Sequence, residues 1–295
     1  MTAPRLDVML PYYGDSAHFR TAVQSVIAQR HGNWRLVCVD DASPDGTARE
    51  WIASLDDDRI VYHRNAVNLG IAANFQHCLD LVEADHFTVM GSDDVMLPGH
   101  LMHFAALMSR HPDVDVFQPG VEVIDEDGAP VRPLPDRIKS LRRPRTHDGE
   151  AILSGEELAR SLTSANWAYF PSLLWRTRRA RDIGFDQDFA ISLDLGLLLD
   201  IALDGGTMLV TDALGFQYRR HRASASMSAA RSGERFVQEA RFYRHFAEKF
   251  RLRGWRRAER AARRYTISRL NALSEIPGAL RAGGDARTLL AHVIR

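Results

Sequence analysis

Through residue 117 the chain alternates short apolar runs with stretches whose apolar residues recur at helical spacing. No other feature restricts the fold as strongly. The runs are Arg5 to Leu10, Trp34 to Val39, Arg59 to His63, His86 to Met90 and Val114 to Phe117. Between them, Phe19, Val23, Val26 and Ile27 share one helical face, Gly46 to Ser54 reads as a short helix, and Ile71, Phe75, Cys78, Leu79 and Val82 share another face. Pro98 stands where proline favours a helix start. Strands alternating with helices predict an α/β chain with a mostly parallel central sheet flanked by helices. Sheets of that kind bind ligands beyond the carboxyl ends of their strands.

Further on, the alternation dissolves. Residues 125–149 are rich in proline, arginine and aspartate and read as a long loop. Ser154 with Glu157 resembles a capping box. An apolar segment at Ser172 to Trp175, a helix around Leu195 to Leu203, and short strands near Met208 to Val210 and Gly215 to Tyr218 follow. The last sixty or so residues read as purely helical and arginine-rich. Lysine plus arginine and aspartate plus glutamate both number 38, so global charge gives no reason to expect a nucleic-acid partner. The two cysteines, Cys38 and Cys78, make no disulfide framework and point to a reducing cytoplasm. The first residues lack a secretory signal pattern, and no apolar run is long enough to span a bilayer.

Two carboxylate pairs stand out on this frame. Asp40 and Asp41 end the second strand in VCVDDASPDGT, and Asp93 and Asp94 end the fourth in MGSDDVMLPG. Adjacent anions repel and contribute nothing to a core. At the carboxyl ends of neighbouring strands, facing one cleft, they would suit Mg²⁺ or Mn²⁺ held together with substrate phosphates. The competing reading is that they cap turns or helices. No G-x-x-x-x-G-K-[ST] loop, dinucleotide G-x-G-x-x-G, zinc-ligand spacing or G-x-S-x-G elbow occurs, so the chemistries those motifs serve drop out.

VMLPYYG, QRHGNWRLVCVDDASPDGT, NAVNLGIAANF and MGSDDVMLPG, in this order, resemble the successive motifs of family-2 glycosyltransferases. IGFDQDFAISLDLGLLLDIALDGG and QYRRHRASASM continue the likeness to about residue 227. The resemblance implies a GT-A fold, a nucleotide-sugar donor (UDP favoured) and transfer with inversion. It implies donor contacts from Pro11, Tyr12 and Tyr13, where Gly14 replaces the family's asparagine. Asp41 would meet the base, and Asn68, Gly70 and Asn74 would help to form the donor site. In the acidic motif Gly91 takes the first position; Asp93 would border the donor and Asp94 would hold the cation. Asp194 would be the catalytic base, although Leu193 replaces the glutamate expected before it, and Asp186 and Asp188 compete for the role. Asp194 also has a plain reading, as an anion in the first turn of a helix. His221 is either a metal or diphosphate neighbour or a surface histidine. Arg219, Arg220 and Arg222 either touch phosphate or are solvated, and Trp167 lines an acceptor pocket or sits in the core.

The resulting expectation is a catalytic domain over residues 1–228 and a basic helical extension over 229–295. Between Arg235 and Arg264 there are eleven basic and three acidic residues, with Phe242, Phe246 and Phe250 every fourth position. Such a helix either lies on an anionic membrane surface or packs its aromatic stripe on the protein or on a second copy. The acceptor implied is a saccharide or lipid-linked saccharide, in bacterial cell-surface polysaccharide or glycolipid synthesis. The place implied is the cytoplasm or the inner face of the membrane. A non-catalytic nucleotide-sugar-binding protein and a sugar nucleotidyltransferase are the alternatives; LPYYGDSAHF lacks the glycine-rich phosphate loop of the latter.

Overall fold

The computed structural model describes residues 4–14, 17–44, 46–220, 234–281 and 286–294. Four of the apolar runs form β1 (Leu6–Tyr12), β2 (Trp34–Asp40), β3 (Ile60–Arg64) and β4 (His86–Val89), all mutually parallel. They are joined by β5 (Val95–Met96), β6 (Val116–Ile124), β7 (Glu150–Ser154), β8 (Leu174–Arg176) and β9 (Thr207–Arg219) in one nine-stranded sheet. The order is β3-β2-β1-β4-β8-β6-β9-β5, with β7 also paired to β9. Strand β8 runs antiparallel between β4 and β6, while β6 and β9 are parallel. Since β2 and β4 flank β1, the two aspartate pairs sit on one rim but not on adjacent strands, contrary to expectation.

The strands read correctly are those whose apolar residues are unbroken. In β1 Leu6, Val8, Leu10 and Tyr12 enter the core on one face, with Phe19 and Val23; Met9 enters the core on the other, with Phe87 and Trp175. Asp7 interrupts this apolar strand at no energetic loss of pairing, because its carboxylate accepts from Arg35 and from the Glu83 and Ala84 amides. The expected short strands near 208–210 and 215–218 are instead one thirteen-residue strand, β9. The register with β6 slips on either side of Gly120. A Cβ there would lie 2.7 Å from the Asp212 carbonyl oxygen, so the strands approach too closely for any side chain.

Twelve α-helices of the described residues surround the sheet. In chain order they are α1 (Ala17–Ile27), α2 (Thr47–Ala53), α3 (Gly70–Asp80), α4 (His100–Arg110), α5 (Leu134–Arg142) and α6 (Gly155–Ala165). They continue with α7 (Thr177–Ile183), α8 (Leu193–Leu203), α9 (Glu234–Arg253), α10 (Arg256–Arg264), α11 (Thr266–Arg281) and α12 (Ala286–Ile294). Helix α5 corrects the loop expected over 125–149. Pro135 in its first turn and Lys139 and Arg142 in its last are the ordinary punctuation of a helix. Ser154 does stand at the N-cap of α6, but its hydroxyl makes no capping bond there.

Helix α9 settles the aromatic stripe. Phe242, Phe246 and Phe250 are all buried in the same core as Leu197, Leu198 and Trp175. The Phe189 and Phe242 rings meet edge to face at 5.4 Å. The stripe therefore packs on the body of the protein, with most arginines of α9 and α10 outward. No helix among the described residues is long and apolar enough to cross a membrane. Phe246→Ala should lower unfolding stability by about 3–5 kcal/mol, the usual loss for a buried phenylalanine. A fall in the urea midpoint at unchanged slope is the result to look for.

Candidate active site

Asp40 and Asp41 end β2 and do different work. Asp40 is buried; its carboxylate accepts from the Ser43 amide at 2.7 Å, the Tyr62 hydroxyl at 2.7 Å and Arg64 at 2.5 Å. Burial alone would raise its pKa, but these donors outweigh burial and hold it below the ordinary carboxylate value. Asp41 accepts from Asn65 and from the Leu69 amide, both at 2.8 Å, and from the Gly70 amide at 2.9 Å. Asn65 also donates to Asn74 Oδ1. Asn68 accepts from the Gly70 amide, and the positive φ of Gly70 turns the chain into α3. Asp41, Asn68, Gly70 and Asn74, the four expected together, are thus joined in one hydrogen-bonded loop. Asp41 is its organiser, with both oxygens already engaged.

The first-strand loop is tied to this one by the Gly14 amide, which donates to Ser43 Oγ at 2.8 Å. Pro11 is half-buried and Tyr13 is 61% exposed at the rim. Tyr12 is a correction: strand alternation turns its ring into the core against Phe19, 4.2 Å between centroids. Its side chain is 3% exposed, whereas that of Tyr13 stands open at the rim.

The acidic motif closes the other side of β1. Asp93 is half-buried, while Asp94 is 1% exposed and accepts from the Arg219 amide at 2.8 Å. Its second oxygen, Oδ2, is buried without a hydrogen-bond partner among the described residues. Burial, and then the Asp93 charge, push the Asp94 pKa well above the ordinary carboxylate value. Gly91 leaves the room this carboxylate occupies, since a Cβ at 91 would run into Asp94 Oδ2. An unpaired buried carboxylate oxygen is costly unless something cationic meets it. It therefore fits a hard divalent ion. Among the described residues no group of three or more acidic, histidine or cysteine side chains could hold a metal. His221 lies outside the described residues, as does Arg222.

Neither Arg219 nor Arg220 is a solvated surface group. Arg219 is 6% exposed; Nε donates to the Asp93 carbonyl at 2.7 Å and Nη1 to the Asp125 and Glu126 carbonyls. Arg220 grips buried Asp136 of α5 with two hydrogen bonds, at 2.6 and 2.9 Å, and Tyr169 donates to the same carboxylate. Tyr218 lies close enough to Asp94 and Arg220 to feel both; burial first, then Asp94, pushes its hydroxyl up to about 12. Lys139, a turn along α5 from Asp136, donates to the Ala168 carbonyl at 3.0 Å and sits over the Tyr169 ring. Burial draws its ammonium down to about 8, although Asp194 nearby opposes the shift.

Asp194 is in the first turn of α8 and half-buried. Burial raises its pKa; the Leu195 amide and the Lys139 charge pull the other way. Leu193 is buried in the core, so the position of the missing glutamate does not face the cleft in this chain. The competitors are otherwise employed: Asp186 accepts from the Asp188 amide as the cap of a 3-10 turn, and exposed Asp188 pairs with Arg241 of α9 at 3.6 Å. Between β6 and α5 opens a cavity of about 600 Å³, lined among others by Gln118, Asp136, Lys139, Trp167 and Tyr169. Trp167 is a core residue, 1% exposed with Nε1 donating to Ser161, and shows only an edge there.

The family model for glycosyl transferase family 2 matches residues 7–177, more than half of the chain. The chain belongs to that family. EpsE of Bacillus subtilis, named as a glycosyltransferase, is 31% identical over 129 residues, 43% of this chain and 46% of EpsE. WcaA of Escherichia coli, named for glycosyl transfer in colanic acid biosynthesis, is 28% identical over 104 residues, 35% of this chain and 37% of WcaA. The chain thus spans less than half the length of either relative. The fold matches Staphylococcus aureus TarS residues 1–349 with a TM-score of 0.66 at 16% identity, over 98% of this chain and 81% of that one. TarS has also been solved with UDP and with UDP-GlcNAc. The central sheet with its flanking helices is accordingly a GT-A sheet.

The match to the glycosyltransferase family stops at residue 177, so Asp194 and the β9 arginines are placed by this structure alone. Sequence reasoning passed over Asp136, Lys139 and Tyr169. The helix signature of LPDRIKSLR could have found the first two; nothing local marks Tyr169. The depressed pKa of Asp40 gives a test of the β2 loop. A carboxylate with a folded pKa below its unfolded value, about 3.9, stabilises the fold above that value. The contribution is lost as pH falls through the lower folded value. Asp40→Asn should therefore lower the thermal midpoint at neutral pH, with the difference closing in acid. A constant difference across the titration would show that its charge is not what holds the loop.

Proposed function

We propose that the protein is an inverting glycosyltransferase that moves a sugar from a nucleotide-diphosphate donor, UDP favoured, to a hydroxyl of a saccharide or lipid-linked saccharide. The observation that carries this reading is one row of buried and half-buried polar side chains. It starts at the unsatisfied carboxylate of Asp94, passes through Tyr218, Arg220, Asp136 and Lys139, and ends at Asp194. A buried carboxylate oxygen with no hydrogen-bond partner among the described residues thus stands at one end of the row, and Asp194, its pKa raised by burial, at the other. Family membership, the UDP and UDP-GlcNAc complexes of TarS and the colanic acid role in the name of WcaA support the same reading.

In this mechanism the rim loops of β1 and β2 hold the nucleoside, with exposed Tyr13 offering a ring face and the Asp41 loop fixing the backbone around Asn68 and Gly70. Asp94, with Asp93 beside it, would hold Mg²⁺ or Mn²⁺, which would supply Lewis-acid neutralisation of the leaving diphosphate. Asp194 removes the proton of the acceptor hydroxyl as its oxygen attacks the anomeric carbon. A base serves best with a pKa near the operating pH, and burial moves Asp194 in that direction. The Lys139 charge opposes that shift. One displacement inverts the anomeric carbon, and no protein nucleophile takes part.

Asp194→Asn should reduce turnover by roughly a hundredfold to ten-thousandfold, with donor affinity by calorimetry nearly unchanged. Because the base must be deprotonated, the parent's rate should climb as pH rises through the raised Asp194 pKa, and this limb should vanish in the variant. Full activity in the variant removes Asp194 from the chemistry; loss of donor binding moves it to the nucleotide site. Asp94→Asn should abolish the gain in UDP affinity that Mn²⁺ confers. An unchanged Mn²⁺ response in that variant would place the ion elsewhere.

A further inference from the structure

On the face formed by α5, α6 and α10 is an open cavity of about 350 Å³. Five arginines converge on it: Arg142 from α5, Arg160 from α6, and Arg257, Arg260 and Arg264 from α10. Ser164 and Thr266 add hydroxyls, and Thr266 opens α11, whose first-turn amides have no partner within the helix. No carboxylate lines the cavity. Glu156 of α6 accepts from the amides of Arg257 and Ala258 at the start of α10.

Like charges gathered this way repel, and on α9 and α10 the chain neutralises other arginines with glutamates. Arg235 pairs with Glu239, Arg251 with Glu248 and Arg263 with Glu259. None of the five cavity arginines has an ion pair among the described residues. Their guanidinium groups belong to three helices, so their convergence is a product of the tertiary fold and not of one basic helical face. A fork of N–H donors on several sides, with hydroxyls and a helix N-terminus between them, matches the oxygens of phosphate. We propose that this cavity binds a phosphate or diphosphate group, carried either by a lipid headgroup or by a free anion. The site is separate from the donor cleft, and the proposal does not depend on the glycosyl-transfer reading. Its placement has a use all the same: α5 carries Arg142 at this cavity and Lys139 beside Asp194, and α6 carries Arg160 and Ser164 on the way to Trp167.

The test uses the full chain with two probes. Inorganic pyrophosphate is titrated by calorimetry, and phosphatidylcholine vesicles with and without phosphatidic acid are assayed by co-sedimentation. The parent should bind pyrophosphate, and R160Q/R260Q should bind it about tenfold or more weakly, since charge-assisted hydrogen bonds are lost. R160K/R260K should keep part of the affinity. R244Q/R253Q, which removes the same charge from exposed positions of α9, should match the parent; an equal loss there means diffuse charge and overturns the site. Pyrophosphate in the donor cleft is common to all these proteins and cancels. Sedimentation with phosphatidic acid vesicles that R160Q/R260Q abolishes assigns the group to a lipid headgroup, and pyrophosphate binding without sedimentation assigns it to a free anion. If neither probe binds the parent, or if R160Q/R260Q binds both unchanged, the proposal fails. Circular dichroism checks the fold, and R142Q/R264Q replaces the first pair should it misfold.

Discussion

Arg219 is the interaction on which the arrangement of the site depends. Its amide satisfies one oxygen of Asp94, its Nε reaches the carbonyl of Asp93, and its Nη1 takes two carbonyls after β6. One residue thereby joins the acidic turn after β4, the end of β9 and the chain leading to α5. Its guanidinium thus spans three backbone carbonyls from two separate segments at once. It fixes where the acidic carboxylates stand, and with Arg220 and Asp136 it fixes where α5 stands. The polar row that ends at Asp194 inherits its position from that clamp.

Much of the fold was legible because its first half follows two simple periods. Strands with unbroken apolar runs and helices with a single apolar face could be read residue by residue, and the parallel order placed both aspartate pairs on one rim. What could not be read depends on contacts distant in sequence. The slip at Gly120 hides the continuity of β9, because the break in its apolar pattern at Asp212 to Leu214 looks like a turn. Helix α5 is polar on nearly all sides and is held by Arg220 from a strand some eighty residues away, so periodicity offered little to find it by.

The site was legible to a different degree. Motif order picked out loops that the fold gathers along one rim of the sheet, yet it could not say which side chains of a motif are exposed there. Tyr12 and Tyr13 are adjacent and chemically alike, and strand alternation sends one to the core and the other to the rim. Arg219 and Arg220 read from their charge as phosphate contacts or as solvated groups, but each is engaged by partners that sequence distance concealed. The aromatic stripe of α9 was the reverse case: an amphipathic basic helix is ambiguous between lipid and protein, and only the packed core decides.

Gly91 has a consequence for how this motif can change. The space that a side chain at 91 would need is already filled by the Asp94 carboxylate. Restoring the acidic residue that related motifs carry there is therefore not an independent step. It would bring a third acidic side chain onto a buried carboxylate whose Oδ2 has no hydrogen-bond partner among the described residues, unless Asp94 first swung to another rotamer. The two positions are coupled: a side chain at 91 and the present Asp94 rotamer exclude one another, so a substitution at 91 acts first on where the Asp94 carboxylate stands.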